Sequence, residues 1–290
     1  MANLKELRTR IASVKNTKQM TSAMKMVAAA KLRKAQQAIV QLRPYADKIH
    51  HMLSDLLIAA RGDVDNPFFV QRDVKNVLLI IVTSNRGLCG GFNTNVEKMA
   101  VATIEEYAKK GINANNINFY SFGKKGFDSI KRRKFNIVKS DFEVFDNLNF
   151  DYALEITKSI MKDFISGKYD KVEVIYNSFK NAGTQILTRE QVMPVVMPEE
   201  GTVSGGYVYE PSFSGVLDKL VPRALTMQIY KAILDSYASE HGARMTAMHK
   251  ATDNAAELIR QLTLSYNKAR QSAITNEILE IVGGAEALKG

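Results

Sequence analysis

The sequence predicts an α/β protein in which a long antiparallel coiled coil of the N- and C-terminal helices carries an inserted α/β domain. Apolar residues recur in alternating steps of three and four from Leu4 to Ala60, and again from Met245 to Ala273. A 3.5-residue repeat held this long is typical of a coiled-coil seam. Between these segments, strand-like and helix-like patterns alternate, as expected of an α/β domain.

The predicted domain organisation has three parts. Residues 1–61 form the N-terminal helix, residues 74–200 the α/β domain, and residues 211–290 a C-terminal helix that pairs with 1–61. In the first helix, fourteen of the seventeen seam positions are apolar, and sixty helical residues span roughly 90 Å. The seam keeps its phase past Pro44, through Leu42, Ala46 and Ile49, so we expect a kink there and not a helix end. The C-terminal helix is the longer one, so its end is expected to project unpaired.

The net charge of +10 is concentrated in the first helix. Residues 1–61 contain twelve Lys and Arg against three Asp and Glu, whereas residues 62–210 contain nineteen of each kind. A basic rod indicates an acidic protein surface or a polyanion as its partner. A coiled-coil protein that binds nucleic acid is therefore one alternative function, and steep salt dependence of DNA binding would favour it.

The α/β domain begins with an apolar run, Val77 to Val82, typical of a strand buried on both faces. The glycine-rich loop 83–93 follows and leads into a helix over 95–110. Its spacing is neither G-x-G-x-x-G nor a P-loop, so the glycines are interpreted as allowing a tight turn. A nucleotide-dependent α/β enzyme is the second alternative. Further strands are predicted at 117–122, 135–139, 171–179 and 184–195, with helices near 124–132 and 151–167, which together indicate a Rossmann-like domain.

Residue types that carry out catalysis do not form a recognisable pattern. The chain has one cysteine, Cys89, four scattered histidines, and no Ser-His-Asp, Cys-His or paired-carboxylate arrangement. We therefore predict no catalytic residues, no cofactor and no metal site, and a chain that is not an enzyme by itself. The longest apolar run is also too short to cross a bilayer, and the N-terminus lacks a signal-peptide core.

Four stretches together resemble one family, the gamma subunit of the F-type proton-translocating ATP synthase. They are IASVKNTKQMTSAMKMVAA (11–29), RGLCGGFN (86–93), ARMTAMHKATDN (243–254) and YNKARQSAITNEILEIVGGA (266–285). The last stretch is the most specific, since it matches the family signature at Ile274, Thr275, Glu277, Glu280, Gly284 and Ala285. The likeness spans the chain from end to end.

The resemblance implies a central rotor shaft that couples proton flow through the membrane sector to ATP synthesis on the ring of alpha and beta subunits. It implies that Met24, Arg270, Gln271 and Thr275 contact beta subunits, and that Tyr207 lies near the epsilon subunit and the ring of c subunits. It implies no nucleic acid partner. Membrane association would occur only through the complex, on the cytoplasmic side of a bacterial plasma membrane. With Cys89 alone, the redox switch of plant-type gamma subunits should be lacking.

Overall fold

A computed structural model of the chain describes residues 4–59, 66–196, 210 and 212–287. Its elements, in chain order, are α1 (Leu4–Ala59), β1 (Val77–Val82), α2 (Phe92–Lys109), a short 3-10 helix (Ala114–Asn116), β2 (Ile117–Phe122), α3 (Lys124–Arg132), β3 (Asn136–Asp141), α4 (Phe150–Ile165), β4 (Lys171–Asn181), β5 (Thr184–Met193) and α5 (Phe213–Ala287).

The chain divides into two compact units. The helical unit contains residues 1–28 and 245–290, and the α/β unit contains residues 29–244. Both α1 and α5 run through the two units, so this division differs from the three parts proposed from the sequence, which remain a prediction. Pro44 lies inside α1, and the helix continues through it, as expected. No helix among the described residues is both long and apolar enough to cross a membrane.

In the helical unit, α1 and α5 pack as an antiparallel pair, which confirms the predicted coiled coil. The Thr21 and Thr252 hydroxyl oxygens lie 2.8 Å apart, and Lys25 Nζ lies 3.4 Å from His249 Nδ1. From the first pair to the second, the contact moves four residues forward along α1 and three residues backward along α5, so the two helices run in opposite directions. The predicted seam is the buried stripe of α5, because its positions from Met245 to Ala269 are all buried or half-buried.

The α/β unit contains a five-stranded sheet in the order β3-β2-β1-β4-β5. β1 pairs in parallel with β2 and β4, β2 pairs in parallel with β3, and β5 is antiparallel to β4. All six residues of β1 are buried, as the apolar run predicted. Each predicted strand is present, and no strand end differs from its predicted position by more than two residues. β5 ends at Met193 because Pro194 follows and has no N–H for the ladder.

Alternate residues of β1 serve two cores on opposite faces of the sheet. Val77, Leu79 and Ile81 pack in one cluster with the buried face of α2. Leu78, Ile80 and Val82 belong to the other cluster, which also contains buried residues of α4 and the parts of α1 and α5 that lie in the α/β unit. The period of two along the strand therefore places helices on both faces.

The carboxyl ends of β1 and β2 approach too closely for any residue but glycine at position 123. Gly123 has φ +91°, and a Cβ there would lie 2.1 Å from the Thr83 carbonyl oxygen. The Thr83 hydroxyl in turn accepts a 2.9 Å hydrogen bond from the Gly126 N–H. This contact fixes where the glycine-rich loop leaves the sheet.

Candidate functional site

The C-terminal part of α5 is a helix with no buried side chain. Every residue from Arg270 to Glu286 is exposed. Extending the Thr21–Thr252 register places Leu4, the first described residue of α1, opposite the region of Ala269. Among the described residues, α5 therefore has no helical partner beyond this point, as the sequence predicted.

Apolar residues form a stripe along this exposed segment. With 3.6 residues per turn, one side of the helix presents five large apolar side chains. They are Ile274, Ile278, Leu279, Ile281 and Val282. Gln271 and Thr275 lie within the same stripe, and the Thr275 hydroxyl donates a 2.9 Å hydrogen bond to the Gln271 carbonyl oxygen. A contiguous exposed apolar surface on a helix indicates a protein partner.

The other two residues predicted to contact beta subunits, Arg270 and Met24, lie on α5 and α1, respectively. Arg270 is exposed, and so are the remaining residues of the family signature, Glu277, Glu280, Gly284 and Ala285. Met24 is half-buried on α1, between the two residues that hydrogen-bond to α5, Thr21 and Lys25. Tyr207 lies outside the described residues.

Met24 belongs to an apolar row that is mostly on the surface. Met20 and Val27, one turn before and after it, are exposed, and so is Met26. Exposed methionines adapt their shape easily to a partner because the side chain is unbranched and flexible. The row therefore provides apolar contact area without contributing much to the seam.

The glycine-rich loop contacts α5 through its carbonyl groups. Arg244 Nη2 donates hydrogen bonds to the carbonyl oxygens of Arg86 at 2.9 Å and Gly87 at 3.2 Å. Inside the loop, the Ser84 N–H donates to Asn93 Oδ1 at 2.9 Å, and Asn93 Nδ2 donates to the Cys89 sulfur at 3.3 Å. The loop thus presents acceptors to a cation, whereas a phosphate site would present N–H donors.

Arg244 also forms an ion pair with Glu240, one turn earlier in α5. The two side chains are only 10% and 9% exposed, respectively. Burial raises the pKa of Glu240, and the positive charge of Arg244 opposes that shift. Because both the charge and the hydrogen bonds of Arg244 are satisfied inside the α/β unit, this residue joins α5 to the end of β1.

His241 lies beside this pair and is 5% exposed. Its ring packs edge-on against Tyr237 with centroids 4.5 Å apart, and neither ring nitrogen has a hydrogen-bond partner among the described residues. Burial, with the charges of Arg244 and Lys31, lowers the pKa of His241 to about 3. The imidazole is therefore neutral in the folded chain over the physiological range.

We expect the neutral burial of His241 to make the α/β unit sensitive to acid. The unfolded histidine takes up a proton near its ordinary pKa of 6.5, whereas the folded one does so only near pH 3, so stability is lost as the pH falls between these values. Between pH 7 and 4.5 the loss amounts to about 2–3 kcal/mol. Urea unfolding at both pH values would measure this loss of stability. The variant His241→Phe keeps the aromatic contact, and we expect it to remove most of the loss. An unchanged loss would contradict the assignment.

Comparison with known proteins identifies the family. A sequence profile of the ATP synthase family matches residues 3–288. Over the whole of both chains, the sequence is 52% identical to the ATP synthase gamma chain of Flavobacterium psychrophilum and 46% identical to that of Chlorobium limicola. The chain belongs to the ATP synthase gamma chain family.

Solved structures agree with this fold. The rotor chain of the Euglena gracilis mitochondrial ATP synthase matches with a TM-score of 0.65 at 20% identity, covering 93% of this chain and 98% of the other. A central-stalk chain from Tetrahymena thermophila matches with a TM-score of 0.58 at 23% identity, covering 80% and 99%. These structures confirm the predicted fold class. The family match confirms the predicted recognition and the predicted role as a non-catalytic rotor-shaft subunit of an ATP synthase. The two alternatives, a nucleotide-dependent enzyme and a nucleic-acid-binding coiled coil, are not supported.

Sequence reasoning missed the buried group formed by Glu240, His241 and Arg244. One signal was available, because Glu240 and Arg244 stand four residues apart and so share a helix face. Arg244 also lies in one of the stretches that resemble the family. Neither signal indicated that the partner would be the glycine-rich loop.

Proposed function

We propose that the exposed end of α5 is the part of the gamma chain that acts on the catalytic subunits of the ATP synthase. The observation that carries this proposal is the exposed apolar stripe with Gln271 and Thr275 inside it. A stripe on one side of a helix presents a different surface to each of several subunits placed around it. Turning the helix then changes which subunit meets the stripe.

Orientation-dependent contacts are sufficient to control chemistry elsewhere. To drive a two-state subunit from 1:99 to 99:1, the helix must favour one state by about 5.5 kcal/mol. A few apolar side chains and one or two charge-assisted hydrogen bonds, made in one orientation only, can supply that difference. Because the bias depends on orientation, the catalytic subunits can cycle only if the gamma chain turns.

The proposed partners follow from this arrangement and the family. Arg270, Gln271 and Thr275 contact beta subunits of the alpha/beta ring, and Met24 does so from α1. The basic residues of α1 favour acidic surfaces on those subunits. The region of Tyr207 contacts the epsilon subunit and the c-ring, and the complex places the chain peripherally at the cytoplasmic side of a bacterial plasma membrane, where ion flow drives rotation.

Met24→Lys tests the contact on α1. Because Met24 is only half-buried, we expect the added charge to leave the helical unit folded, with the melting temperature lowered by no more than a few degrees. In the assembled complex the new ammonium would meet the surface of a beta subunit, so we expect ATP hydrolysis to continue while ion transport per ATP falls severalfold. Ion transport and hydrolysis would be measured together in membrane vesicles.

Met24→Leu is the matched control because it keeps the apolar character and nearly the volume of the side chain. It should couple hydrolysis to transport as the parent does. If Met24→Lys unfolds the isolated chain, Met24 is a core residue of the helix pair. If Met24→Lys assembles and couples normally, Met24 makes no contact that matters for coupling.

A further inference from the structure

Strand β3 leaves one edge of the sheet open. It pairs with β2 on one side, and no strand among the described residues pairs with its other side. Four of its six side chains are exposed, including Val138, and the other two are half-buried. An open edge of this kind exposes backbone N–H and C=O groups that an added strand can pair with.

Positive charge is concentrated in β3 and in the segment that leads into it. Residues 124–141 contain seven Lys and Arg and two Asp, although residues 62–210 are neutral overall. The seven cations are all exposed, and none of them is ion-paired within the described part of the chain. They are Lys124, Lys125, Lys131, Arg132, Arg133, Lys134 and Lys139.

The carboxylate of β3 itself is directed away from a partner. Asp141 accepts hydrogen bonds from the Tyr152 hydroxyl at 2.7 Å and from the N–H groups of Glu143 at 3.0 Å and Val144 at 3.1 Å. Its charge is thus used to shape the turn after β3. A strand arriving at the edge would therefore meet Lys139 within β3 and the exposed cations of the segment that leads into it.

The surface beside the start of β3 has room for a side chain of an added strand. An open depression of about 420 Å³ lies beside it. Its lining combines amide, ammonium and apolar groups from two neighbouring segments, namely Ala114, Asn115, Lys134, Phe135, Asn136 and Ile137. Lys134 has φ +61°, which turns the chain sharply between the basic end of α3 and β3.

We propose that the open edge of β3 binds an acidic, extended segment of a partner protein, which adds to the sheet as a sixth strand. The backbone ladder would supply affinity, and the exposed cations would select carboxylate side chains. The helix dipole favours cations at the C-terminal end of α3, which is a sufficient reason for the basic residues found there. It gives no such reason for Lys124, Lys125 or Lys139. A nucleic acid would use the charge and leave the open backbone edge unused. This surface is independent of the contacts proposed for α5.

The test measures binding of a labelled seven-residue peptide of alternating Glu and Val to the full chain by fluorescence anisotropy. A second peptide carries methyl groups on alternate backbone nitrogens, which blocks ladder pairing but keeps the charge. A twelve-nucleotide poly-uridylate serves as the polyanion. Amide hydrogen exchange, followed by mass spectrometry, reports on residues 136–141 with and without the first peptide.

Arg132→Glu/Arg133→Glu is the test variant, and Arg8→Glu/Arg10→Glu, which makes the same charge change on the basic helix α1, is its matched control. We expect the test variant to bind the Glu-Val peptide roughly tenfold more weakly than the parent chain, and the control variant less than about twofold more weakly. N-methylation of the peptide should weaken its binding to the parent chain roughly tenfold. The unmodified peptide should slow amide exchange in β3. Equal losses in the two variants, or tight binding of the N-methylated peptide or of poly-uridylate, would show a general polyanion surface. No binding at about 1 mM peptide would show that the edge is simply solvated.

Discussion

Replacing Arg244 by alanine is expected to lower the free energy of unfolding of the α/β unit by about 3–5 kcal/mol. The change leaves the Glu240 carboxylate buried without its counter-ion and removes the donor from the carbonyl oxygens of Arg86 and Gly87. An uncompensated buried charge costs far more than the ion pair contributes, because the carboxylate cannot regain water. Urea unfolding of the full chain, followed by a probe in the α/β unit, would measure the loss.

Two controls separate the buried pair from ordinary charge effects. Arg260→Ala removes the exposed partner of Glu257, which accepts hydrogen bonds of 2.9 and 3.1 Å from the guanidinium, and should cost far less than Arg244→Ala because water screens an exposed pair. Glu240→Met/Arg244→Met removes both buried charges and should cost less than Arg244→Ala alone. If Arg244→Ala costs no more than Arg260→Ala, Arg244 does not join the loop to α5.

Tying the end of α5 to one beta subunit is expected to abolish sustained ATP turnover by the complex. Gln271→Cys, oxidised to a disulfide with a cysteine placed in the beta subunit, would fix one orientation of the apolar stripe. Since the other beta subunits then never meet that stripe, each would be held in one state and product release would stop. Reducing the disulfide should restore the rate. The same variant, oxidised alongside a beta subunit that lacks the added cysteine, is the control and should keep full activity.

A disulfide at the end of a helix leaves one way for the rest of the chain to keep turning. The segment beyond Ala269 has no helical partner among the described residues, so it can swivel or unwind below the tie. A second tie at Tyr207→Cys, joined to a stationary subunit, closes this route. Turnover coupled to ion transport at the untied rate in that second complex would contradict the proposed rotation.

Periodicity was sufficient to predict the helices and the individual strands, but not the order of the strands in the sheet. The three-four repeat identified the residues of α5 that are buried against α1, and the apolar run 77–82 identified the central strand, because both patterns follow directly from which side chains must avoid water. The unpaired end of α5 followed from the difference in length between the two helices. The contacts of the exposed residues with other subunits remain predictions.

Burial of charged residues could not be predicted in the same way. Glu240 and Arg244 are four residues apart in α5, and Glu257 and Arg260 are three apart, so both pairs read as surface pairs on one helix face. The first pair is buried and the second is exposed because only the first lies where α5 packs against the loop after β1. That difference depends on long-range packing and not on local sequence. His241 was missed for the same reason.

Rotation itself is the most direct test. The complex would be fixed to a surface through its beta subunits, and a fluorescent filament would be attached to the gamma chain at Lys109→Cys, an exposed position at the end of α2, with the buried Cys89 replaced by serine. On addition of ATP, we expect the filament to turn continuously in one direction, and to stop when Gln271→Cys is tied to a beta subunit. A filament that stays fixed while the same complexes hydrolyse ATP at the full rate would contradict the role of this chain as the rotor.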